Sequence, residues 1–175
     1  RSLVDEHSAE GAPTEHMAQP KLVYISFPTE YGTLYSLEEL TKIRETCDKF
    51  GLYLYIDGAR LGYGLSAADN DVTLQMIYKL CDAFYIGGTK LGTMFAEAVV
   101  IRNQNIAEDF RYIIKQRGGM LAKGWLLGIQ FEAMFENGLY FDLGKQANIY
   151  ADKIRSTLKE LKYPLNYQNT TNQIF

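Results

Sequence analysis

Two charged side chains stand where strands are predicted to end. Lys90 follows an apolar run at residues 84–86 and then two glycines, so a strand delivers it to the edge of a sheet on a backbone with little steric bulk. Asp57 directly follows another apolar run, residues 52–56. In an open α/β sheet, ligands bind beyond the carboxyl ends of the strands. The two side chains are therefore expected to meet at one site.

An amine and a carboxylate held together in this way suit pyridoxal phosphate. The amine of Lys90 would hold the cofactor's aldehyde as an imine. The carboxylate of Asp57 would accept a charge-assisted hydrogen bond from the protonated pyridine nitrogen, which makes the ring an electron sink. Arg60 could reach the ring's phenolate oxygen or a substrate carboxylate. The sequence therefore predicts a pyridoxal phosphate site built on Lys90 and Asp57.

Each of these residues alone gives weak support. A lysine after two glycines is more often an ordinary loop residue, an aspartate at a strand end often caps a turn, and Arg60 could form a structural ion pair. A phosphate-binding P-loop is excluded, because that motif needs GxxxxGK followed by Ser or Thr. Here the glycine spacing is wrong and Leu91 follows the lysine. The prediction depends on Asp57 and Lys90 occurring together.

The chain as a whole predicts strands alternating with helices, and then helices alone. Strands are predicted at residues 22–26, 52–56, 83–86 and 97–101, and helices at 37–50, 71–80, 104–116, 120–137 and 140–161. Ser36 and Glu39 form a capping box that opens the first helix, and Gly51 closes it. The continuous apolar run at 22–26 is typical of a buried parallel strand. The fold class predicted is α/β, with a mostly parallel sheet flanked by helices and followed by long helices.

Four segments resemble the threonine aldolase family, the β-eliminating lyase branch of the fold-type-I pyridoxal phosphate enzymes. They are residues 28–36 (PTEYGTLYS), 55–61 (YIDGARL), 82–90 (DAFYIGGTK) and 110–121 (FRYIIKQRGGML). The similarity spans residues 16–163. It implies part of the large cofactor-binding domain at 1–137, a connecting helix at 138–164 and the beginning of a small domain at 165–175.

The resemblance also implies roles for single residues. Lys90 matches the lysine that holds the cofactor, and Asp57 matches the carboxylate on the pyridine nitrogen. Arg60 matches an arginine that lines the same pocket and could bind substrate. Thr89 is expected to touch the phosphate.

A second group of residues is implied to act between subunits. Lys115 and Arg117 stand before Gly118 and Gly119, which are expected to precede a helix whose N-terminus can attract an anion. In the family this loop lies near a neighbouring subunit's cofactor, so either cation could act there; the alternative is a pair of solvated helix-end charges. The resemblance implies a homodimer or homotetramer. The aromatic helix containing Trp125 is expected to lie in the core, with an interface as the alternative.

The implied activity is cleavage of a β-hydroxy amino acid, L-threonine or L-allo-threonine, to glycine and an aldehyde. β-Elimination or transamination stays open, because the same Asp and Lys serve all three reactions. A non-catalytic fragment or interaction module is the third alternative. The chain is expected to be part of a longer polypeptide: the resemblance puts the main phosphate cup and the ring-stacking aromatic before Arg1, and a substrate-binding arginine after Phe175. A helix is expected to end within residues 1–9, and a strand to begin near residues 171–175.

Composition excludes several other classes of function. The net charge of −3 argues against nucleic-acid binding, which needs a concentrated basic surface. No apolar run approaches transmembrane length and nothing resembles a signal peptide, so a cytoplasmic protein without membrane contact is expected. His7 and His16 have no metal-site spacing, and Cys47 and Cys81 form no CxxC motif. We expect two buried, reduced thiols and no metal.

Overall fold

The computed structural model describes residues 16–175 of the chain. The helix end predicted at 1–9 and His7 lie outside this range. The first half contains β1 (Leu22–Ser26), α1 (Leu37–Phe50), β2 (Tyr53–Asp57), α2 (Leu61–Leu65), α3 (Leu74–Leu80), β3 (Ala83–Gly87) and β4 (Glu97–Ile101). The second half contains α4 (Gln104–Ala107), α5 (Phe110–Gln116), α6 (Trp125–Phe135), a 3-10 turn (Glu136–Gly138) and α7 (Leu139–Glu160).

The four strands form one sheet in the order β1-β2-β3-β4. The first three are parallel, with Ser26 opposite Asp57 at the end of the β1–β2 pair. Strand β4 runs antiparallel to β3 and places Glu97 opposite Gly87. The carboxyl ends of β2 and β3 therefore share an edge with the start of β4. The predicted mostly parallel sheet flanked by helices is confirmed.

The capping box predicts the start of α1 correctly. The Glu39 amide donates to Ser36 Oγ at 3.2 Å, and the Ser36 amide donates to Glu39 Oε2 at 2.9 Å. Gly51 ends the helix in the left-handed conformation, with φ of 62°. These local contacts satisfy backbone groups that the helix itself leaves unpaired. Helix α1 then packs against β2 through its apolar face.

The two faces of the sheet differ. Leu54, Ile56 and Phe84 point to the face that α1 and α3 cover, and they belong to the hydrophobic core. The opposite face carries Tyr24, which is 56% exposed, together with half-buried side chains of β2 and β3. The prediction of a buried β1 is therefore wrong for one of its faces. This more open face ends in Asp57.

Helix α2 was not predicted from the sequence, because two glycines in five residues disfavour a helix. Its glycines allow close packing instead. A Cβ on Gly62 would lie 2.2 Å from a methyl group of Leu91, and one on Gly144 of α7 would lie 2.5 Å from the Gly62 carbonyl oxygen. Asn148 of α7 donates to the Tyr63 carbonyl at 2.9 Å. Packing against α7 thus stabilises a segment with low helix propensity.

The helices between β4 and α7 are shorter than predicted, whereas α7 matches its predicted range to within one residue at each end. The 104–116 segment divides because Asp109 takes a left-handed conformation (φ 58°) between α4 and α5. Helix α6 begins at Trp125 rather than at residue 120 and ends at Phe135, and the 3-10 turn that follows contains the predicted break at residues 137–138. The core placement of this aromatic helix is confirmed for Met134, which is buried, and for Phe131 and Phe135, which pack against the core. It is wrong for Trp125, whose side chain is 62% exposed.

Residues 165–175 pack back onto the loop after β1, and the strand expected near residues 171–175 does not form. Thr171 is fully buried and donates to the Gly32 carbonyl at 2.8 Å. Arg155 of α7 donates to the Thr171 and Gln173 carbonyls at 2.8 and 3.2 Å. Arg155 therefore occupies two of the carbonyl groups that a strand here would offer to a neighbouring strand, and the Thr171 side chain binds the loop after β1.

The cysteine prediction is confirmed. Cys47 and Cys81 are buried free thiols, and burial raises the pKa of Cys81 to about 12. Across residues 16–175, no cluster of three His, Cys, Asp or Glu side chains could hold a metal ion. Within the same range, no helix has the length and apolar character needed to cross a membrane.

Candidate cofactor site at the carboxyl edge of the sheet

The structure brings Asp57 and Lys90 to the same edge of the sheet. Asp57 is the last residue of β2, and Lys90 lies three residues beyond the end of β3. The positive charge of Lys90 is near enough to lower the pKa of the Asp57 carboxyl. Strands β2 and β3 are parallel neighbours, and this explains how residues separated by 33 positions come together.

Three donors hold the Asp57 carboxylate. The Ala59 amide and the Tyr85 hydroxyl donate to Oδ1 at 2.9 and 2.5 Å. The Tyr24 hydroxyl donates to Oδ2 in a short hydrogen bond. Burial alone would raise the pKa of Asp57, but these three hydrogen bonds and the Lys90 charge together hold it below the ordinary aspartate value. Asp57 is therefore a carboxylate, and not a carboxylic acid, at neutral pH.

The two tyrosines remain protonated donors. The hydrogen bond to Asp57, followed by burial and the Asp57 charge, raises the pKa of Tyr24 to about 12. Burial, then the hydrogen bond and charge of Asp57, raises the pKa of Tyr85 further still. Both phenols can therefore donate to Asp57 throughout the physiological pH range.

The backbone before Lys90 is held by contacts from three elements. The Gly88 amide and the Thr89 hydroxyl donate to the two carboxylate oxygens of Glu97 at 2.8 and 3.0 Å. Tyr140 of α7 donates to the Gly87 carbonyl at 3.0 Å. Tyr63 of α2 donates to the carbonyl of Lys90 itself in a short hydrogen bond. These contacts fix the main chain of a lysine whose own side chain is exposed.

Glycine is required where the two loops of the site touch. A Cβ on Gly58 would lie 1.9 Å from the Tyr85 carbonyl oxygen, and one on Gly87 would lie 2.5 Å from the Ala59 carbonyl oxygen. The close approach allows the Gly87 amide to donate to the Gly58 carbonyl at 2.9 Å. This bond ties the turn after Asp57 to the strand end that leads to Lys90.

Arg60 lies at the start of α2 and pairs with Glu30. Its Nη1 is 3.4 Å from Glu30 Oε2, a long contact, and Glu30 is largely exposed. Ser26 also donates to Glu30, again at 3.4 Å, and Gln173 donates to the Glu30 carbonyl at 2.8 Å. The Arg60 guanidinium is therefore loosely held at the same edge as Asp57.

Lys115 and Arg117 lie at the end of α5. Both are exposed, and within residues 16–175 neither side chain makes a hydrogen bond or an ion pair. Gly118 and Gly119 precede a helix, as expected, but that helix begins five residues later than predicted. Gly118 follows the end of α5 with a left-handed φ of 79°, and α6 begins at Trp125. The proposed anion attraction by a helix N-terminus is thus not available at these glycines.

Sequence reasoning missed Tyr24, Tyr85, Glu97 and Tyr63. The two-residue period of strands puts Tyr24 on the same face as Ser26, but only the observed register makes Ser26 the partner of Asp57. Glu97 has no comparable signal, since its role depends on the antiparallel pairing of β4 with β3.

The residues present fit pyridoxal phosphate at its ring nitrogen. An ionised carboxylate offers about four lone-pair sites, and three donors occupy Asp57. One acceptor direction is left for a pyridinium N–H. Lys90 is exposed, and its amine makes no hydrogen bond to any other residue in 16–175. A partly filled carboxylate beside an available amine is the arrangement that this cofactor requires.

The structure is an α/β domain with a lysine–aspartate pair at its carboxyl edge, and comparisons with known proteins identify the family of the chain. A sequence profile described as beta-eliminating lyase matches residues 4–175. The chain therefore belongs to the beta-eliminating lyase family. It is 32% identical over 147 residues to a low specificity L-threonine aldolase from a Pseudomonas species, and 32% identical over 139 residues to that of Pseudomonas aeruginosa.

These alignments cover most of this chain and less than half of each relative. They span 83% and 76% of the chain but 42% and 38% of the two Pseudomonas enzymes. A solved threonine aldolase from Leishmania major superposes with a TM-score of 0.90 at 48% identity, covering 92% of this chain and 47% of that one.

More distant structures show the same fold. A candidate L-allo-threonine aldolase from Listeria monocytogenes superposes with a TM-score of 0.66 at 20% identity, covering 92% of this chain and 45% of that one. The fold class is that of the large domain of fold-type-I pyridoxal phosphate enzymes.

Proposed function

We propose that this chain supplies part of the active site of a pyridoxal phosphate-dependent lyase that cleaves a β-hydroxy amino acid to glycine and an aldehyde. The observation that carries the proposal is the meeting of Lys90 and Asp57 at the carboxyl edge of the sheet, in a member of the beta-eliminating lyase family. The names of the relatives, low specificity L-threonine aldolases, support L-threonine as a substrate, and we propose L-allo-threonine beside it.

Lys90 and Asp57 would hold the cofactor. The Nζ of Lys90 would bind the aldehyde carbon, and Asp57 would accept a hydrogen bond from the ring nitrogen. When bound, pyridoxal phosphate supplies an electron sink for the electron pair released as the substrate's Cα–Cβ bond breaks. Asp57 favours that chemistry because, as an anion held by Tyr24 and Tyr85, it stabilises a positive charge on the ring.

Arg60 and Thr89 are proposed as further contacts of the cofactor or substrate. The 3.4 Å separation of Arg60 from Glu30 leaves the guanidinium able to turn toward a carboxylate or a phenolate oxygen. Thr89 donates its only hydroxyl proton to Glu97, so it would have to release Glu97 before it could donate to a phosphate oxygen. As placed, Thr89 supports the loop that carries Lys90.

The overall reaction balances without an oxidant or reductant. The β-hydroxyl loses a proton, the Cα–Cβ bond breaks, and the β-carbon leaves as the aldehyde. A proton then adds to Cα, which gives glycine. An enzyme for this reaction must hold the amino and carboxylate groups of the substrate while the bond breaks. Arg60, which follows Asp57 by three residues at the start of α2, is proposed to hold the carboxylate.

The test is to incubate the intact protein, with pyridoxal phosphate, with L-threonine, with L-allo-threonine, and with an amino acid plus a keto acid. We expect acetaldehyde and glycine from at least one of the two threonines. Lys90→Ala should abolish release, whereas Lys79→Ala, which removes an exposed lysine on α3, should not. No aldehyde from either substrate, or amino transfer to the keto acid instead, would contradict the proposal.

We further propose that the protein works as a homodimer or homotetramer in the cytoplasm, with Lys115 or Arg117 reaching a neighbouring subunit's site. Support comes from an apolar surface on α5, α6 and the segment between them, called here the 112–129 surface. Its large exposed side chains are Tyr112, Ile113, Met120, Leu121, Trp125, Leu126 and Ile129. A group of seven large exposed apolar side chains is typical of an interface between protein chains. We also propose that residues 138–164 connect the large domain, residues 1–137, to a small domain that starts at 165–175.

A further inference from the structure

We propose that Tyr24 and Tyr85 are positioning residues for Asp57. Their two phenol groups donate hydrogen bonds to the carboxylate from both sides, which fixes its orientation and favours its ionised form. The proposal rests on the proposed function only in that Asp57 is taken to face the cofactor ring. The contacts themselves belong to the protein alone, and they can be tested without the cofactor.

The sheet brings the two phenols to Asp57 from opposite sides. Strand β2, which ends in Asp57, lies between β1 and β3. On β1, Ser26 is the register partner of Asp57, so Tyr24 lies two residues earlier on the same face. On β3, the register that pairs Tyr55 with Ala83 brings Tyr85 level with Asp57. One phenol therefore reaches Oδ2 from β1, and the other reaches Oδ1 from β3.

A third tyrosine, Tyr55 of β2, lies between the rings of Tyr24 and Tyr85. The ring of Tyr55 stacks on that of Tyr24, with centroids 5.7 Å apart and planes inclined by 21°. It also lies 6.4 Å from the ring of Tyr85. The three rings form a row across β1, β2 and β3, which limits how far either phenol can turn. The Tyr55 hydroxyl makes no hydrogen bond to any residue in 16–175, so the row contains two donors and one spacer.

The hydrogen bonds act against the effect of burial on Asp57. A phenol that donates to a carboxylate stabilises the anion and lowers its affinity for a proton. The charged or titratable groups around Asp57 are Lys90, Tyr24, Tyr55 and Tyr85, with Glu30 and Glu97 further out beside the two donating phenols. Because Asp57 binds a proton less tightly, a protonated ring nitrogen facing it would keep its proton instead of giving it to the carboxylate.

The decisive experiment is a carbon-13 NMR titration of aspartate carboxyl groups in the intact protein without pyridoxal phosphate, with Asp57→Asn assigning the signal. Tyr24→Phe and Tyr85→Phe should each make Asp57 bind a proton about tenfold more tightly, since a hydrogen bond to a charged group is lost in each. Tyr55→Phe, which removes a hydroxyl from the same row of rings, should have a clearly smaller effect. Tyr24 is mostly exposed and Phe keeps its ring, so Tyr24→Phe is expected to fold normally. The proposal would be overturned if Asp57 bound its proton equally tightly in Tyr24→Phe, Tyr85→Phe and Tyr55→Phe.

A second measurement separates this inference from the proposed function. With pyridoxal phosphate labelled with nitrogen-15 in the ring, the nitrogen chemical shift should move toward the unprotonated form in the Tyr24→Phe, Tyr85→Phe double variant. An unchanged shift would contradict the positioning role. If wild-type protein fails to bind the cofactor at all, the proposed function fails, while a changed Asp57 titration would still establish the two phenols as its positioning residues.

Discussion

Glu97 accepts a hydrogen bond from the Gly88 amide at 2.8 Å, across the pairing of β4 with β3. The same carboxylate accepts the hydroxyl of Thr89, so one side chain holds the two residues before Lys90. A strand that carries no proposed catalytic group therefore fixes the loop that presents the lysine.

Glu97→Ala should loosen this loop. We expect hydrogen exchange of the Gly88 amide to accelerate about tenfold, because a charge-assisted hydrogen bond is lost. The visible absorbance band that marks cofactor attachment should form more slowly on adding pyridoxal phosphate. Glu108→Ala, which removes an exposed carboxylate between α4 and α5, is the matched control. Equal exchange and equal band formation in the two variants would show that Glu97 does not hold the loop.

Gly58→Ala should destabilise the fold strongly. The new methyl group would lie 1.9 Å from the Tyr85 carbonyl oxygen, which is backbone and cannot move aside cheaply. We expect a loss of about 3 kcal/mol in the free energy of unfolding, measured by urea denaturation. Gly128→Ala on α6 meets no atom within 4 Å and should stabilise by about 0.5–1 kcal/mol, as a helix-interior glycine replaced by alanine does. A Gly58→Ala variant as stable as the wild type would contradict the close approach of the two loops.

Much of the fold could be predicted from local signals. The capping box gives the start of α1, and continuous apolar runs give all four strands, because both signals depend on neighbouring residues. Helix α2 could not be predicted, since its glycines act through packing against Gly144 and Asn148 of α7. The start of α6 was misplaced, because residues 120–124 have helical composition but turn before Trp125.

The candidate site was predicted unevenly for the same reason. Asp57 and Lys90 follow from strand ends, which apolar runs reveal. Tyr24, Tyr85 and Glu97 reach the site through strand register, and a sequence pattern does not state which strands are neighbours. Lys115 and Arg117 were predicted to act on another subunit, and that role remains a prediction.

Asp82 should make stability fall in acid. Its carboxylate accepts hydrogen bonds from Arg44, the Leu54 amide and Asn103, each at 2.8 Å. Burial would raise the pKa of Asp82, but these hydrogen bonds and the Arg44 charge lower it below the ordinary value of 3.8. Because the pKa in the folded state is the lower one, the stabilisation is complete above pH 3.8 and fades as the pH falls through the folded value.

Asp82→Asn isolates this contribution. At pH 7 we expect the variant to be about 2 kcal/mol less stable than the wild type, because Arg44 loses its charged partner. This difference in the free energy of unfolding should narrow as the pH falls below the ordinary aspartate pKa, where the wild-type carboxylate becomes protonated. Denaturant unfolding of both proteins across this range measures it. If the difference in the free energy of unfolding does not change with pH, the assigned role of the Asp82 charge is contradicted.

Trp125→Asp tests the 112–129 surface. The side chain is 62% exposed, so its replacement should change the thermal stability of the subunit little. If the surface joins subunits, a buried charge there should dissociate the oligomer, and sedimentation should give a lower mass than for the wild type. Tyr163→Asp, at another exposed aromatic residue, is the comparison. A wild-type mass in Trp125→Asp would remove the 112–129 surface as the interface.

The central claim is that Lys90 binds the cofactor, and borohydride trapping tests it most directly. The intact protein is incubated with pyridoxal phosphate, reduced with sodium borohydride, digested, and mapped by mass spectrometry. We predict the reduced cofactor on the peptide containing Lys90, and no labelling there in Lys90→Arg. Labelling at a different lysine with Lys90 unmodified, or no stable labelling of the wild type, would contradict the account.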